Sequence, residues 1–317
     1  MIIGAMIDIC AKEREAIVVR KSRVDVLGAT ALILFSILLG LNQALVKLVN
    51  AGMAPVFQSG LRSACAFLIV VSVALLMRKK LSISDGTLWP GIFSGLLFSF
   101  EFYLLFSALE YTTVSRVSML FYTQPFWVAL GAHFLLPGER LTRTKSAGLI
   151  LALSGVVLLL ARGDDGTGAE TIMGDSMCIL AAIAWAMIVL VARRTRLANS
   201  TPEMQLLYQL AVSGVVLLVI AFLSGETLRV MTPSISLIFA FQVVFVVSIG
   251  FMLWFWALST YPAGEMASFG LLTPLFGVFF GWLIFDDVLS FWFLIALAMV
   301  CGGIVLNNLP MSSAVKS

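Results

Sequence analysis

Glu101 is an acid in the middle of an apolar run, GIFSGLLFSFEFYLLFSAL. It precedes Leu109, at the end of that run, by about 12 Å of helix at 1.5 Å per residue, which is close to the centre of a bilayer. An ionised carboxylate there is costly unless it is paired or hydrated, so the chemistry open to it is cation binding or proton carriage. A structural ion pair or a protonated packing residue is the plainer alternative. Arg62 stands about 9 Å into a second apolar run and is the obvious partner, either tying two helices together or touching a substrate. Asn42 and Gln43 are adjacent in the first run, about 100° apart on a helix, so one is expected to face a cavity and the other to bond between helices. Lys47 ends that run and can anchor it by snorkelling, with attraction of a charged solute as a second role. Tyr103, Tyr122, Trp127, Trp254 and Trp256 lie at core depth. With Glu101 they could hold an amine by cation–π attraction, and lipid-facing packing is the alternative for each. Pro125 and Pro274 interrupt two further runs. Each removes a backbone donor and marks a gate or a central site.

Other chemistries find little to work with. No G-x-x-x-x-G-K-[ST] loop is present, so nucleotide hydrolysis is not indicated. The only histidine is His133, which leaves no Ser-His-Asp triad and no histidine metal site. Cys10, Cys65, Cys178 and Cys301 are far apart, which indicates neither a zinc site nor a disulfide framework. No cofactor, metal or nucleic-acid partner is expected.

The elements that must position these residues are membrane helices. Hydrophobic residues make up 61% of the chain and charged ones 12%, with a mean hydropathy of +1.05. Soluble domains are about half apolar and about a quarter charged, so lipid is the solvent this composition fits. Ten runs are long enough to span: 27–47, 56–77, 88–109, 114–136, 145–162, 173–193, 204–223, 235–258, 264–285 and 291–308. With the N-terminus in the cytoplasm, the inner loops hold Lys12, Arg14, Arg20, Lys21, Arg23, Arg78, Lys79, Lys80, Arg140, Arg143, Lys145, Arg193, Arg194, Arg196 and Lys316. The outer ones hold only Arg116, Arg162 and Arg229. Such asymmetry sets orientation and puts both termini inside. Residues 1–25 and 310–317 are then cytoplasmic tails, and 163–172 (GDDGTGAETI) is an extracytoplasmic linker between halves 26–162 and 173–309. The Asn199-Ser200-Thr201 sequon falls on an inner loop and is discounted.

The halves resemble each other. FSALEYTTVSRVSMLFYTQP (106–125) aligns with FWALSTYPAGEMASFGLLTP (255–274), offset by 149 residues. After one deleted residue GERLT (138–142) meets DDVLS (286–290) and Gly155 meets Gly303; earlier, Lys47 meets Arg193. Five helices per copy is an odd number, so the second copy must cross the membrane inverted. Glu101 has Gly250 as its counterpart, so its charge is not an architectural need of both halves.

These motifs, with LPGERLTRTKSAGLILALSGVVLLL, AAIAWAMIVLVARR and WFWALSTYPAGEMASFGLLTPLFGVFFGWLIFDDVLS, resemble those of the EamA-type branch of the drug/metabolite transporter superfamily over residues 25–308. Leu39-Gly40 stands where that family often has Trp-Gly, and Asp286-Asp287-Val288 where Gly-Glu-Arg is usual. The resemblance implies a multi-pass protein of the cytoplasmic (inner) membrane, a secondary carrier for a small metabolite working by alternating access. Glu101 among aromatics adds an amine-containing substrate, amino-acid-like or an organic cation, with protons as the candidate coupling ion. The expected partners are that solute and membrane lipid, the chain acting as a monomer or homodimer. An integral-membrane enzyme or a non-transporting scaffold is the rival reading. Sparse charge and the repeat weigh against it.

Overall fold

The computed structural model describes residues 24–79, 81–83, 85–136, 141–162, 168–250, 253, 256–257, 260–261, 269 and 272–308. Among them the chain is helical, and one antiparallel bridge, Met53 to Leu228, is the sole β contact. The first half contains α1 (Val26–Asn50), α2 (Pro55–Leu76), α3 (Leu88–Tyr111), α4 (Val114–Phe121), α5 (Gln124–Leu135) and α6 (Arg143–Arg162). The second contains α7 (Ala169–Arg194), α8 (Pro202–Ser224), α9 (Pro233–Phe241) with a π-helical continuation (Gln242–Ile249), α10 (Leu272–Phe285) and α11 (Phe291–Asn308). Six of these, α1, α2, α3, α6, α7 and α8, are long and apolar enough to cross a membrane, and the last three elements are shorter apolar helices. Helices suit lipid because each satisfies its own backbone groups.

Their starts follow from local chemistry. Asp25 caps α1 by accepting from the Gly28 N–H at 2.9 Å. Thr201 caps α8 through the Met204 N–H at 3.3 Å. Pro55, Pro202 and Pro233 stand in first turns, where the missing donor has no partner to lose.

Three expected boundaries change. The run 114–136 is two helices, not one kinked helix. Pro125 offers no N–H to the turn before it and its ring crowds the carbonyl four residues back, so the helix fails at Tyr122–Thr123. There the Thr123 N–H and hydroxyl both turn back to the Leu120 carbonyl, at 3.2 and 2.6 Å. The stretch read as linker, 163–172, is already helical from Ala169. The run 235–258 starts at Pro233 and widens to π geometry at Gln242.

The main seams join one half to the other: α6 to α11, α3 to α7 and α8, α2 to α8, α1 to α10, α4 to α10, and α5 to α7. Weaker seams join α9 and its π continuation to α1 and α2. Exchanging the halves maps α1·α10 onto α7·α5, α3·α7 onto α9·α1 and α3·α8 onto α9·α2, and leaves the other three unchanged. The packing therefore has a pseudo-two-fold. It is sharpest where α6 crosses α11. A Cβ on Gly148 would sit 2.7 Å from the Gly303 carbonyl oxygen, and one on Gly155 would sit 2.8 Å from that of Ala296. A 148-residue offset turns the first contact into the second.

Helix ends collect on two faces. On one, the Ala54 N–H donates to the Thr227 carbonyl at 2.8 Å, Arg229 to the Asn50 carbonyl at 2.9 Å and to Glu110, and Lys47 Nζ to the Thr112 carbonyl at 2.9 Å. Asp287 Oδ2 accepts from the Ser115 N–H at 2.8 Å there. On the other, at the far ends of α1, α2 and α7, Lys79 pairs with Glu203 at 3.0 Å and the Tyr261 hydroxyl donates to Asp25 at 2.6 Å.

Candidate functional site

A cavity of about 430 Å³ lies where α1, α2, α3, the α4–α5 break, α7 and the π stretch converge. Its volume falls within the range of roughly 300–1,000 Å³ typical of small-molecule sites. The wall is mostly apolar and rich in aromatic rings, among them Phe35, Phe98, Phe102, Phe106, Phe121 and Trp185. Into it come the polar groups of Asn42, Gln43, Arg62, Glu101, Tyr122 and Gln124.

Each polar group is delivered by a local feature. α3 is apolar on every side and close-packed against α7 and α8 through Gly91, Gly95 and Ala108, which carries Glu101 inward. The α4–α5 break turns Tyr122 and Gln124 toward the centre, with Pro125 beside them on the wall. Asn42 and Gln43 both line the cavity, not one of the two as expected, because the space is wide enough to span adjacent positions of α1.

Arg62 and Glu101 are both buried here, at 5% and 1% exposure. They form no ion pair within 4 Å with each other. Arg62 Nη1 donates to Asn42 Oδ1 at 3.3 Å. Its guanidinium lies over the rings of Phe102 and Phe106, 4.7 and 4.6 Å from their centroids, which is cation–π distance. Among the described residues, Arg62 Nε and Glu101 Oε2 have no hydrogen-bond partner. Buried polar atoms without partners are rare and costly, and here two such atoms, on groups of opposite charge, share one cavity.

The other expected residues scatter. Tyr103 is 37% exposed on the outside of α3 and does not line the cavity, because the helix turns it away from Glu101. Trp127 is spent on the break, donating from Nε1 to Thr123 Oγ1 at 3.2 Å, and is not on the wall. Pro274 is buried in the first turn of α10, behind the lining residue Thr273. Trp254 lies outside the described residues, and Trp256 packs edge-on against Tyr261. Lys47 is anchored on the Thr112 carbonyl.

Sequence reasoning missed two polar contacts. Gln58, one turn before Arg62, donates from Nε2 to Gln242 Oε1 at 3.4 Å with both side chains fully buried. Asp175 accepts from Arg116 Nε at 3.1 and 3.2 Å and from the Thr112 hydroxyl at 3.0 Å, all buried. An aspartate inside the sixth apolar run was the available signal for the second.

Related helical halves around one central cavity that holds a buried acid and base define a multi-pass membrane transporter. The chain belongs to the EamA-like transporter family, within the drug/metabolite transporter superfamily, whose model matches residues 26–161 and again 172–309. It is 25% identical over 267 residues to "Uncharacterized transporter YoaV" of Bacillus subtilis (strain 168), covering 81% of this chain and 88% of that one. It is also 25% identical to a "Probable amino-acid metabolite efflux pump" of Escherichia coli (strain K12), covering 87% and 94%. A solved structure described as "Crystal structure of protein" superposes with a TM-score of 0.63 at 22% identity, over 88% of this chain and 96% of that one, and supports the fold. These bacterial relatives point to the inner membrane, and the family is one of transporters rather than enzymes.

Proposed function

We propose that the chain is a secondary carrier that moves an amino-acid-like metabolite across the cytoplasmic membrane by alternating access. The observation that carries this is the unpaired placement of Glu101 and Arg62 on one aromatic-walled cavity. A zwitterion matches both charges, its ammonium toward Glu101 and its carboxylate toward the Arg62 guanidinium, while an apolar side chain meets the rings. A simple organic cation would face Arg62 uncompensated, so the amino-acid-like reading is the better of the two. The name of the Escherichia coli relative agrees with it. Glu101 is also the candidate to carry a coupling proton.

The architecture we infer has ten spans, with α4–α5 counted as one and α9 with its continuation as another. The second set of five is inverted with respect to the first, consistent with the pseudo-two-fold of the seams. Arg78, Lys79, Arg193, Arg194 and Arg196 lie on the Asp25 face, which is therefore taken as cytoplasmic, with both termini there.

Counterflow of labelled amino acids into proteoliposomes tests the function. Glu101→Gln should abolish exchange, or its dependence on pH, with the unfolding temperature kept. Full and still pH-dependent exchange by that variant rules out the coupling role. No flux across a broad metabolite panel, with turnover of a lipid instead, overturns the carrier reading.

A further inference from the structure

We propose that Asp175 with Thr112, and Asp25 with Tyr261, are two latches, one at each membrane face, that hold the halves together and must open in turn for the cavity to reach either side. The inference rests on the alternating-access reading above.

The same contact is built twice. The register that pairs Lys47 with Arg193 also pairs Gly28 with Gly174, and the register that pairs Pro125 with Pro274 pairs Thr112 with Tyr261. In the structure those four residues meet crosswise. A Cβ on Gly28 would lie 2.5 Å from the Tyr261 ring, and one on Gly174 would lie 3.0 Å from the Thr112 Cβ. In both places a glycine on the first helix of one half lets the residue that follows the third helix of the other half come close.

An aspartate beside each glycine then takes the hydroxyl. Tyr261 donates to Asp25 Oδ1 at 2.6 Å, and Thr112 donates to Asp175 Oδ1 at 3.0 Å. The two acids are not repeat mates. Asp25 precedes its glycine by three residues, and Asp175 follows its glycine by one. Different positions thus reach the equivalent hydroxyl, so capture of that hydroxyl is the shared feature, not a by-product of the repeat. Asp175 sits near the start of α7 and Asp25 caps α1, so the contacts lie at opposite ends of the bundle. Each spans the two halves. A hydrogen bond to a carboxylate is strong enough to bias a two-state equilibrium; the Asp175 contact is buried and shared with Arg116, while Asp25 stands at the exposed start of α1. Opening the outer face requires the α3–α4 turn to leave α7 and Arg116 to part from Asp175. Opening the inner face requires Tyr261 to leave α1.

Side-specific cysteine labelling tests this without a known substrate. The reporter is Ser36→Cys, on the cavity wall, in a background lacking Cys10, Cys65, Cys178 and Cys301. A membrane-impermeant maleimide is applied from the outside in cells and from the inside in inverted vesicles. Asp175→Asn, which removes the charge that holds both Arg116 and the Thr112 hydroxyl, should raise outside labelling by more than about tenfold, and Tyr261→Phe should raise inside labelling about tenfold, as expected for loss of one bond to a charged group. Thr112→Val, which leaves the Arg116–Asp175 pair intact, should shift labelling the same way as Asp175→Asn and by less, and covers the case in which the charge change prevents folding. If the parent labels from both sides and Thr112→Val and Tyr261→Phe leave its rates unchanged, the latches are overturned and the carrier stands. If parent and variants label from one side only, alternating access itself is overturned, and the latches with it.

Discussion

Arg62 and Glu101 face the same cavity but do not bond to each other, and Arg62 instead lies between Asn42 and the rings of Phe102 and Phe106. The base is thereby held in a fixed pose with part of its donor fork unused. The acid keeps Oε2 without a hydrogen-bond partner among the described residues.

Arg62→Lys keeps the charge but loses the planar fork and the stacking. The half-saturating substrate concentration for counterflow should rise about tenfold, in line with loss of a cation–π contact and one charge-assisted bond. Tyr103→Leu, on the outside of α3, should leave it unchanged. Equal behaviour of the two variants would remove Arg62 from the site.

The Arg116–Asp175 pair is buried at 7% and 1% exposure, so breaking it strands a charge in a dry place. Arg116→Met or Asp175→Leu alone should destabilise the protein by about 3–5 kcal/mol, and the double variant by clearly less than either. Thermal unfolding in detergent gives all three values. Additive losses would mean that the two residues act separately.

Gly148 and Gly303 let α6 and α11 touch backbone to backbone. Either glycine changed to alanine should cost about 1–3 kcal/mol by forcing the helices apart. Gly168→Ala, where an added Cβ meets nothing within 4 Å, should be close to neutral in the same unfolding assay. No difference between these positions would contradict the close seam.

Glu101 and Arg62 were legible in the sequence because charge in an apolar run stands out at once. Which neighbours share their cavity was not. Tyr103 and Phe102 are adjacent and both aromatic, yet only Phe102 lines the wall. In lipid both sides of a helix are apolar, so periodicity does not separate inside from outside as it does in water. Pro125 announced a helix break, but the unwound residues are Tyr122 and Thr123, because proline acts on the turn before it. The π stretch from Gln242 to Ile249 has no local signal, since Val and Ile fit either winding. Asp175 was visible as a residue, but its partner Arg116 lies 59 positions away, and only the fold brings them together.

The crossing of α6 and α11 carries one more consequence. Its two glycine contacts, Gly148 with Gly303 and Gly155 with Ala296, are exchanged by the repeat. If the halves trade conformations, the α1·α10, α3·α7 and α3·α8 seams must be remade as their counterparts, but this one, like α2·α8 and α4·α10, is its own counterpart. With its backbone-to-backbone glycine contacts it is an axle of the molecule, a place where the two halves can stay in register while the rest rocks around it.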